Sequence, residues 1–379
     1  MAGQTLRATS LHTAIATLNI MDHNSRLRRV ESAIEQRRLD ALLVTNLPNV
    51  RYLCGFTGSA GLLVVTARDQ VLLTDGRYTE QARQEVKGAK VNIVKKSALG
   101  AAAEWLQKHP SLRRIGIEAV HMTVADRASL ARSIGKRARL IAAPPIVEPL
   151  RMIKDAGEIA AIRAACHLGV QLFRTVTESL RPGVAESQAA GELEYAARKA
   201  GVEQMAFSTI IAAGPRSALP HGRASDAAIP RQGFVVCDFG VILAGYCSDM
   251  TRTVHVGRPQ PEARSSYEAV REAQKSALDA VKPGVTSGEV DQAARKLLYN
   301  RGLEKFFTHS TGHGLGLEIH EAPKIAAAQK EVLRPGMVIT IEPGVYLPGK
   351  WGVRIEDTVV VTETGCEILT PCPKDLLML

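Results

Sequence analysis

The chain has 379 residues, enough for two domains of ordinary size, with 45% hydrophobic and 23% charged residues. No stretch approaches the roughly 18 consecutive apolar residues of a membrane helix, so we expect no membrane partner. The net charge of +10 comes from residues 1–150, where 22 basic residues stand against 12 acidic ones. They are scattered, without a basic run interleaved with aromatics, which argues against a nucleic-acid partner.

The first 21 residues contain one arginine and no acidic residue. A targeting segment is one interpretation, but the apolar stretch is interrupted by polar residues and no clear cleavage site follows it. We expect residues 1–21 to be a disordered extension, with Met21 as a possible start of the protein.

Residues 22–147 alternate between helical and strand patterns, which predicts an α/β N-terminal domain with a mixed sheet. Arg26–Arg38 has a helical pattern, and Ala41–Thr45 is a short apolar run typical of a buried strand. Leu62–Thr66 and Gln70–Thr74 predict a strand pair around a turn, and Ile115–Glu118 predicts a later strand. Prolines at 144, 145 and 149 indicate a boundary, so we assign residues 148–379 to a second domain.

The second domain contains an internal repeat. Pro-Gly-Val occurs at 182–184 and at 283–285, each followed by a helical segment. A Gly-apolar-Glu triplet then follows at 201–203 and at 302–304, so both matches have the same offset of 101 residues. A constant offset predicts an α+β domain of two similar halves related by a pseudo-two-fold axis, with a cleft between them.

Two strand-like segments, 234–240 and 246–256, each carry an aspartate. If they form a hairpin centred between Leu243 and Ala244, Asp238 lies directly opposite Asp249. Two opposed carboxylates repel each other, and a bound cation removes that cost. The alternative, a pair of solvated aspartates, fits poorly with the apolar neighbours of Asp238.

Two further strand patterns carry acidic residues. Met337–Glu342 alternates and ends at a proline, which leaves Glu342 at the strand end. A strand over Val353–Val361 places Arg354 and Glu356 on one face and Asp357 on the other, so we expect Arg354 to pair with Glu356.

His313 lies between glycines, which allow close approach of the backbone to a site but also fit a flexible loop. Four carboxylates and one imidazole form an oxygen-rich donor set. Such a set suits a pair of divalent ions, Mn²⁺, Co²⁺, Fe²⁺ or Zn²⁺, better than a structural zinc site. The six cysteines form no CxxC pair, and we expect free thiols in the reducing cytoplasm.

With these motifs the sequence resembles the pita-bread metallopeptidases, specifically the Xaa-Pro aminopeptidase and prolidase branch with a creatinase-like N-terminal domain. The resemblance covers roughly residues 22–370. It rests on five motifs: Asp238-Phe239-Gly240, Ser248-Asp249-Met250-Thr251-Arg252-Thr253, Thr311-Gly312-His313-Gly314-Leu315-Gly316-Leu317-Glu318-Ile319-His320-Glu321, Ile341-Glu342-Pro343-Gly344 and Arg354-Ile355-Glu356-Asp357.

The resemblance implies two divalent ions, with Mn²⁺ first among the metals above. It implies five metal ligands, with Asp249 and Glu356 bridging: Asp238, Asp249, His313, Glu342 and Glu356. A hydroxide bridging the metals would attack the bond before proline, with Glu342 as proton shuttle.

The other implied site residues are His221, His320, His309 and Arg354. His221 and His320 match the substrate-side histidines and would stabilise the oxyanion. Their alternatives are a solvated loop histidine and a partner of neighbouring glutamates. For His309 the functional and structural roles are evenly balanced, because Ser310 stands where many relatives have glycine. Arg354 would orient the site.

The implied substrate is a proline-containing peptide. The 29-residue interval from His313 to Glu342 lacks room for the insertion that carries a carboxylate-binding arginine in long prolidases, which favours an Xaa-Pro aminopeptidase over an Xaa-Pro dipeptidase. Lys324 is more simply an exposed lysine, although it could hold a dipeptide carboxylate. A metal-free binding or scaffold protein is the third alternative. The resemblance also implies a homodimer, and we expect residues 51–61 of one subunit to line the cleft of the other. The alternative is that this segment lies over the cleft of its own chain.

Overall fold

The computed structural model describes residues 21–379. These residues form two compact units, Asp22–Arg151 and Met152–Leu379, with Met21 belonging to the second. We call them the N-terminal and C-terminal units. The boundary expected between residues 147 and 148 immediately precedes a short helix, Glu148–Met152, whose last residue begins the C-terminal unit. The expected extension, except Met21, lies outside the described residues.

The N-terminal unit is an α/β structure around one mixed six-stranded sheet, which confirms the predicted class. Its strands are β1 (Ala41–Val44), β2 (Leu62–Thr66), β3 (Gln70–Asp75), β4 (Lys90–Val94), β5 (Arg114–Glu118) and β6 (Arg139–Ala143). Its helices are α1 (His23–Gln36), α2 (Leu47–Cys54), α3 (Thr79–Glu85), α4 (Ala98–Lys108), α5 (Val124–Ile134) and α6 (Glu148–Met152). The strand order is β4-β3-β2-β1-β5-β6, and the predicted β2–β3 pair is an antiparallel hairpin.

The aromatic side chains of segment 51–61 are buried inside the N-terminal unit. Tyr52 is 2% exposed and lies under the guanidinium of Arg26, 4.1 Å from the ring centroid. Phe56 is 1% exposed and meets Tyr78 edge to face. Burial of such large apolar surfaces stabilises the unit. These two rings are therefore not available to reach a second subunit, and the expected contact of residues 51–61 with a partner's cleft stays a prediction.

The C-terminal unit combines long helices with several antiparallel sheets. Its helices are α7 (Ala156–Thr177), α8 (Glu186–Lys199), α9 (Pro261–Ala280) and α10 (Ser287–Asn300). The strands of its first half are β7 (Gln204–Met205), β8 (Ile210–Ala213), β9 (Gly233–Phe239), β10 (Val241–Leu243), β11 (Tyr246–Cys247) and β12 (Met250–Val256). Those of its second half are β13 (Gly312–Gly314), β14 (Glu321–Ile325), β15 (Val338–Ile341), β16 (Gly344–Leu347), β17 (Trp351–Arg354), β18 (Asp357–Val361) and β19 (Cys366–Ile368).

The predicted internal repeat is confirmed. Helices α8 and α10 each have 14 residues, and both their first and last residues are 101 positions apart. The glycines before them, Gly183 and Gly284, have φ of 87° and 86° and donate to the carbonyls of Ile229 and Leu333 at 2.9 and 3.0 Å. In both halves, therefore, the same turn precedes the second long helix, and the same backbone hydrogen bond holds it.

The hairpin that carries the two aspartates has a different register from the predicted one. In the structure Thr251, not Asp249, pairs with Asp238, and Leu243 pairs with Tyr246. The turn residues Ala244 and Gly245 both have positive φ, 52° and 81°, as a two-residue hairpin turn requires. The turn is centred one residue later than predicted, so Asp249 lies diagonally to Asp238 instead of directly opposite.

The single strand predicted over Val353–Val361 is also wrong, since it is divided in two. Strand β17 pairs with β16 and ends at Arg354, whereas β18 begins at Asp357 and pairs with β15. Glu356 lies in the two-residue connection where the chain passes from one sheet to the other. This connection allows the Glu356 backbone N–H to bond the Thr251 carbonyl at 3.1 Å instead of continuing a ladder.

Two findings bear on the environment of the chain. Among the described residues, no helix is long and apolar enough to cross a membrane. All six cysteines lie in the described part of the chain and are free thiols, five of them buried.

Candidate metal centre and active site

One cavity of about 790 Å³ in the C-terminal unit brings the predicted site residues together. It lies where the ends of β9 and β15 approach β13 and the connection after β17. Its predicted lining residues are His221, Asp238, Asp249, His309, His313, His320, Lys324, Glu342, Arg354 and Glu356.

Three carboxylates form the centre of this cavity. Asp238, Asp249 and Glu356 are buried and each offers an oxygen within 4.8 Å of those of the other two. The imidazole of His313 completes the set, with Nε2 3.5 Å from Asp249 Oδ2 and 3.4 Å from Glu342 Oε1. The structure thus places all five predicted ligands in one cluster.

The electrostatics of the cluster favour a bound cation. Burial, followed by the charge of Glu356, raises the pKa of Asp249, and burial followed by the charge of Glu342 raises that of Glu356. Burial likewise raises the pKa of Glu342 to about 7. Within the described residues, Oε1 of Glu356 is buried and has no hydrogen-bond partner. A buried carboxylate oxygen without a hydrogen-bond partner, surrounded by like charges, destabilises the folded protein. Divalent ions bound to it remove this destabilisation, so the residues fit the metal pair that the sequence implies.

Backbone packing directs the imidazole of His313 into the cluster. Its Nδ1 lies 3.0 Å from the carbonyl of Gly314, so Nδ1 carries the proton and Nε2 presents a lone pair to the carboxylates. A Cβ at Gly312 would lie 1.9 Å from the Thr340 carbonyl oxygen, and one at Gly314 would lie 2.2 Å from that of Ala322. These two glycines are therefore required for close strand packing and do not belong to a flexible loop.

Two threonines that the sequence did not single out support the ligands. Thr340 Oγ1 accepts the His313 backbone N–H at 3.0 Å and donates to Glu342 Oε1 at 3.1 Å. Thr251 Oγ1 donates to Glu356 Oε2 at 2.7 Å. Both threonines lie in strands that pair with ligand-bearing strands, and strand alternation alone did not distinguish them from other buried positions.

Arg354 pairs with Asp238, not with Glu356 as predicted. Its Nη2 donates to Asp238 Oδ2, and its Nη1 donates to the hydroxyl of Tyr346 at 2.6 Å and the carbonyl of Pro220 at 3.1 Å. The prediction fails because β17 ends at Arg354, so this residue and Glu356 do not belong to one strand. Asp357 points away from the cavity and bonds Arg252, as the strand pattern predicted.

His309 has protein partners at both ring nitrogens. Nδ1 lies 2.8 Å from the Ser310 carbonyl, and Nε2 lies 2.8 Å from the Tyr346 hydroxyl, which therefore donates to it. Burial, followed by the charge of Arg354, lowers the pKa of His309 to about 4, so the ring is neutral. A chain of contacts thus runs from Asp238 through Arg354 and Tyr346 to His309. No pattern in the sequence pointed to Tyr346, because its role depends on the β16–β17 hairpin.

His221 and His320 also line the cavity. Among the described residues, neither ring has the two protein partners that hold the ring of His309. The His320 ring lies 4.4 Å from that of His313, centroid to centroid, and burial lowers its pKa. The following residue, Glu321, forms a buried ion pair with Lys154 at 3.1 Å. Lys324 and Arg223 add two cationic side chains to the wall, and Arg223 was not singled out from the sequence.

Known proteins agree with this architecture. Residues 160–363 match the model of metallopeptidase family M24, and residues 26–153 match that of the creatinase/prolidase N-terminal domain. The chain is 40% identical to the uncharacterized peptidase YqhT of Bacillus subtilis, covering 93% of this chain and 100% of that one.

Solved structures extend the agreement to three dimensions. The Xaa-Pro dipeptidase from Bacillus anthracis superposes with a TM-score of 0.91 at 38% identity, covering 94% of this chain and 100% of that one. The X-Pro aminopeptidase from Thermotoga maritima gives a TM-score of 0.84 at 38% identity, covering 91% and 99%. The chain belongs to metallopeptidase family M24, with a creatinase/prolidase-type N-terminal domain before its pita-bread catalytic domain.

Proposed function

We propose that this protein is an exopeptidase that hydrolyses the bond between an N-terminal residue and proline. The observation that carries the proposal is the convergence of four carboxylates and one imidazole in a cavity lined by three further histidines. The similar proteins named as Xaa-Pro dipeptidase and X-Pro aminopeptidase support the choice of substrate.

Asp238, Asp249, His313, Glu342 and Glu356 would hold two divalent ions, with Asp249 and Glu356 shared between them. We propose Mn²⁺ as the metal, because hard carboxylate oxygens dominate the donor set. When bound, such ions lower the pKa of water and polarise a carbonyl.

The side chains around the ligands supply proton transfer and orientation. Glu342 Oε1, held by Thr340, accepts a proton from the attacking water and passes it to the leaving proline nitrogen. His221 and His320 donate hydrogen bonds to the developing oxyanion. His309 has both nitrogens occupied, so we assign it, with Tyr346, to positioning Arg354 and through it Asp238.

Two specificities fit this site. The aminopeptidase follows from the short interval between His313 and Glu342. The dipeptidase is favoured by Lys324 and Arg223, whose charges at the cavity wall suit a substrate's C-terminal carboxylate.

Release of alanine from Ala-Pro, Ala-Pro-Ala, Ala-Ala and Ala-Ala-Ala, with Mn²⁺ or Co²⁺ added, tests the proposal. We expect the proline peptides to be cleaved at least about tenfold faster, since one lost pocket contact of 1–3 kcal/mol gives discrimination of that order. Removal of Met from Met-Ala peptides without Xaa-Pro activity would refute the proposal.

The amide Ala-Pro-NH₂ separates the two specificities. If Lys324 binds the dipeptide carboxylate, Lys324→Met slows cleavage of Ala-Pro but not of Ala-Pro-NH₂. Equal effects on both peptides assign the enzyme to the aminopeptidases.

We further propose a cytoplasmic homodimer. Free, mostly buried cysteines support a reducing compartment. Since every described residue that lines the cavity belongs to the C-terminal unit, the N-terminal unit has another role, and subunit association is the one that the resemblance implies. Light scattering of the active protein tests this, and a fully active monomer contradicts it.

A further inference from the structure

The segment that carries His221 is an irregular loop without regular strand or helix of its own beyond one short 3-10 turn. It leaves strand β8 at Ala213, passes through the turn Gly214–Ala218, and reaches Ser225 before strand β9 begins. His221 itself is exposed to the cavity. The position of this imidazole therefore depends on the contacts that hold the loop in place.

The carboxylate of Glu186 closes the base of this loop. Glu186 is the first residue of α8 and is fully buried. Its Oε1 accepts the backbone N–H of Ala213 at 2.8 Å, and its Oε2 accepts the backbone N–H and hydroxyl of Ser225 at 3.1 and 2.7 Å. One side chain thus joins Ala213 to Ser225, on either side of His221.

Glu186 also pairs with a side chain inside the loop. Arg216 Nε lies 3.1 and 3.0 Å from the two carboxylate oxygens, and Arg216 Nη2 donates to the carbonyl of Arg223 at 2.8 Å. On the other side of His221, Arg354 donates to the carbonyl of Pro220 at 3.1 Å. The guanidinium of Arg354, which is paired with Asp238, therefore holds the carbonyl before His221. The guanidinium of Arg216, which is paired with Glu186, holds a carbonyl after it.

We propose that Glu186 is a positioning residue that acts through His221, a role that rests on the proposed function of His221 in the oxyanion site. The charge of the side chain is required, because four donor groups from Ala213, Arg216 and Ser225 point at its two oxygens. A glutamine in its place offers one acceptor oxygen and presents two N–H donors to groups that are themselves donors. A negative charge at this position also interacts favourably with the helix N-terminus.

The test compares Glu186→Gln with Glu158→Gln. Glu158 is a matched control, because it is a buried carboxylate near the start of a helix of the same unit, accepting from Tyr246 at 3.1 Å, and it does not line the cavity. Hydrogen exchange of the amides of residues 214–225 is measured in the full-length protein, together with metal content, kcat and KM for Ala-Pro.

We expect Glu186→Gln to increase exchange within residues 214–225, to retain the metal content of the wild type, and to lower kcat about 10-fold to 100-fold with little change in KM. The loss is smaller than the roughly 10²–10³-fold cost of removing an oxyanion donor outright. In a His221→Ala background, Glu186→Gln should lower kcat no further. Glu158→Gln should leave exchange in this loop and kcat unchanged.

The proposal would be overturned if Glu186→Gln lowered kcat by the same factor in the His221→Ala background as in the wild type. Unchanged amide hydrogen exchange in residues 214–225 would also overturn it. If Glu186→Gln does not fold, Arg216→Met tests the same point, since it removes the bond to the Arg223 carbonyl and leaves Glu186 its backbone partners. We expect it to change exchange and kcat in the same direction by a smaller factor, and unchanged values count against the proposal. The exchange measurement needs no activity, so a failure of the proposed peptidase function is recognised separately, by a wild type inactive on Ala-Pro.

Discussion

Glu342 shows how the environment of a single residue sets both chemistry and stability. It follows strand β15, where Thr340 donates to its carboxylate and His313 faces it at 3.4 Å. Burial raises its pKa to about 7 from an ordinary value of 4.5. A carboxyl group that titrates near neutrality is suited to accept and return a proton.

This shift predicts a pH dependence of stability in the metal-free protein. The folded state holds the Glu342 proton up to about pH 7, whereas the unfolded chain releases it near 4.5. The proton on Glu342 therefore stabilises the folded state fully below pH 4.5. This stabilisation is lost as the pH rises to about 7, which lowers the free energy of unfolding by on the order of 3 kcal/mol. Urea unfolding in chelator at pH 5 and pH 7.5 measures it.

Glu342→Gln provides the control for this prediction. The amide does not titrate. Between pH 5 and pH 7.5 we therefore expect the free energy of unfolding to fall less in the variant than in the wild type. An identical fall in wild type and variant would show that Glu342 titrates normally in the folded state.

At the scale of elements, the sequence predicted the segments that carry the carboxylates but not how two of these segments pair. The strand patterns predicted β9 with Asp238 in it and β15 with Glu342 at its end, because alternation follows from local geometry, whereas the direction of Asp357 was inferred from a strand that is divided in the structure. The error in the predicted register arose at Ala244. This residue has a positive φ, which alanine seldom adopts and which no pattern in the sequence predicted. The change of partner strand after Arg354 could not be predicted either, because the alternation of side chains along a strand does not indicate which neighbouring strand it pairs with.

Close packing of strands, not loop flexibility, explains the glycines around His313, and it predicts the effect of a methyl group. Gly314→Ala places a Cβ 2.2 Å from the Ala322 carbonyl oxygen and must separate β13 from β14. We expect displacement of His313 and at least tenfold weaker metal binding, measured by calorimetric titration with Mn²⁺. Gly191→Ala in α8, where no atom lies within 4 Å of the added Cβ, should bind metal normally and gain up to about 1 kcal/mol of stability. Equal metal affinity in both variants would contradict this account of the glycines.

At the scale of the whole molecule, the offset of 101 residues allowed the two-fold organisation of the C-terminal unit to be predicted from a few Gly and Pro positions. Equivalent helices, α8 and α10, occur one in each half and precede the segments that carry the ligands. The supporting groups could not be predicted in this way. Glu186, Tyr346 and the two threonines act through contacts between segments distant in sequence, which no local pattern contains.

The proposed function requires that five side chains of the C-terminal unit hold two divalent ions. Elemental analysis of metal per chain tests it most directly, in the wild type, in Asp249→Ala and in Lys324→Met, which alters the cavity wall but no ligand. We predict two ions in the wild type and in Lys324→Met, and none tightly held in Asp249→Ala, whose carboxylate lies between the other ligands. Two tightly bound ions in Asp249→Ala, or none in the wild type after growth with Mn²⁺, would contradict the claim.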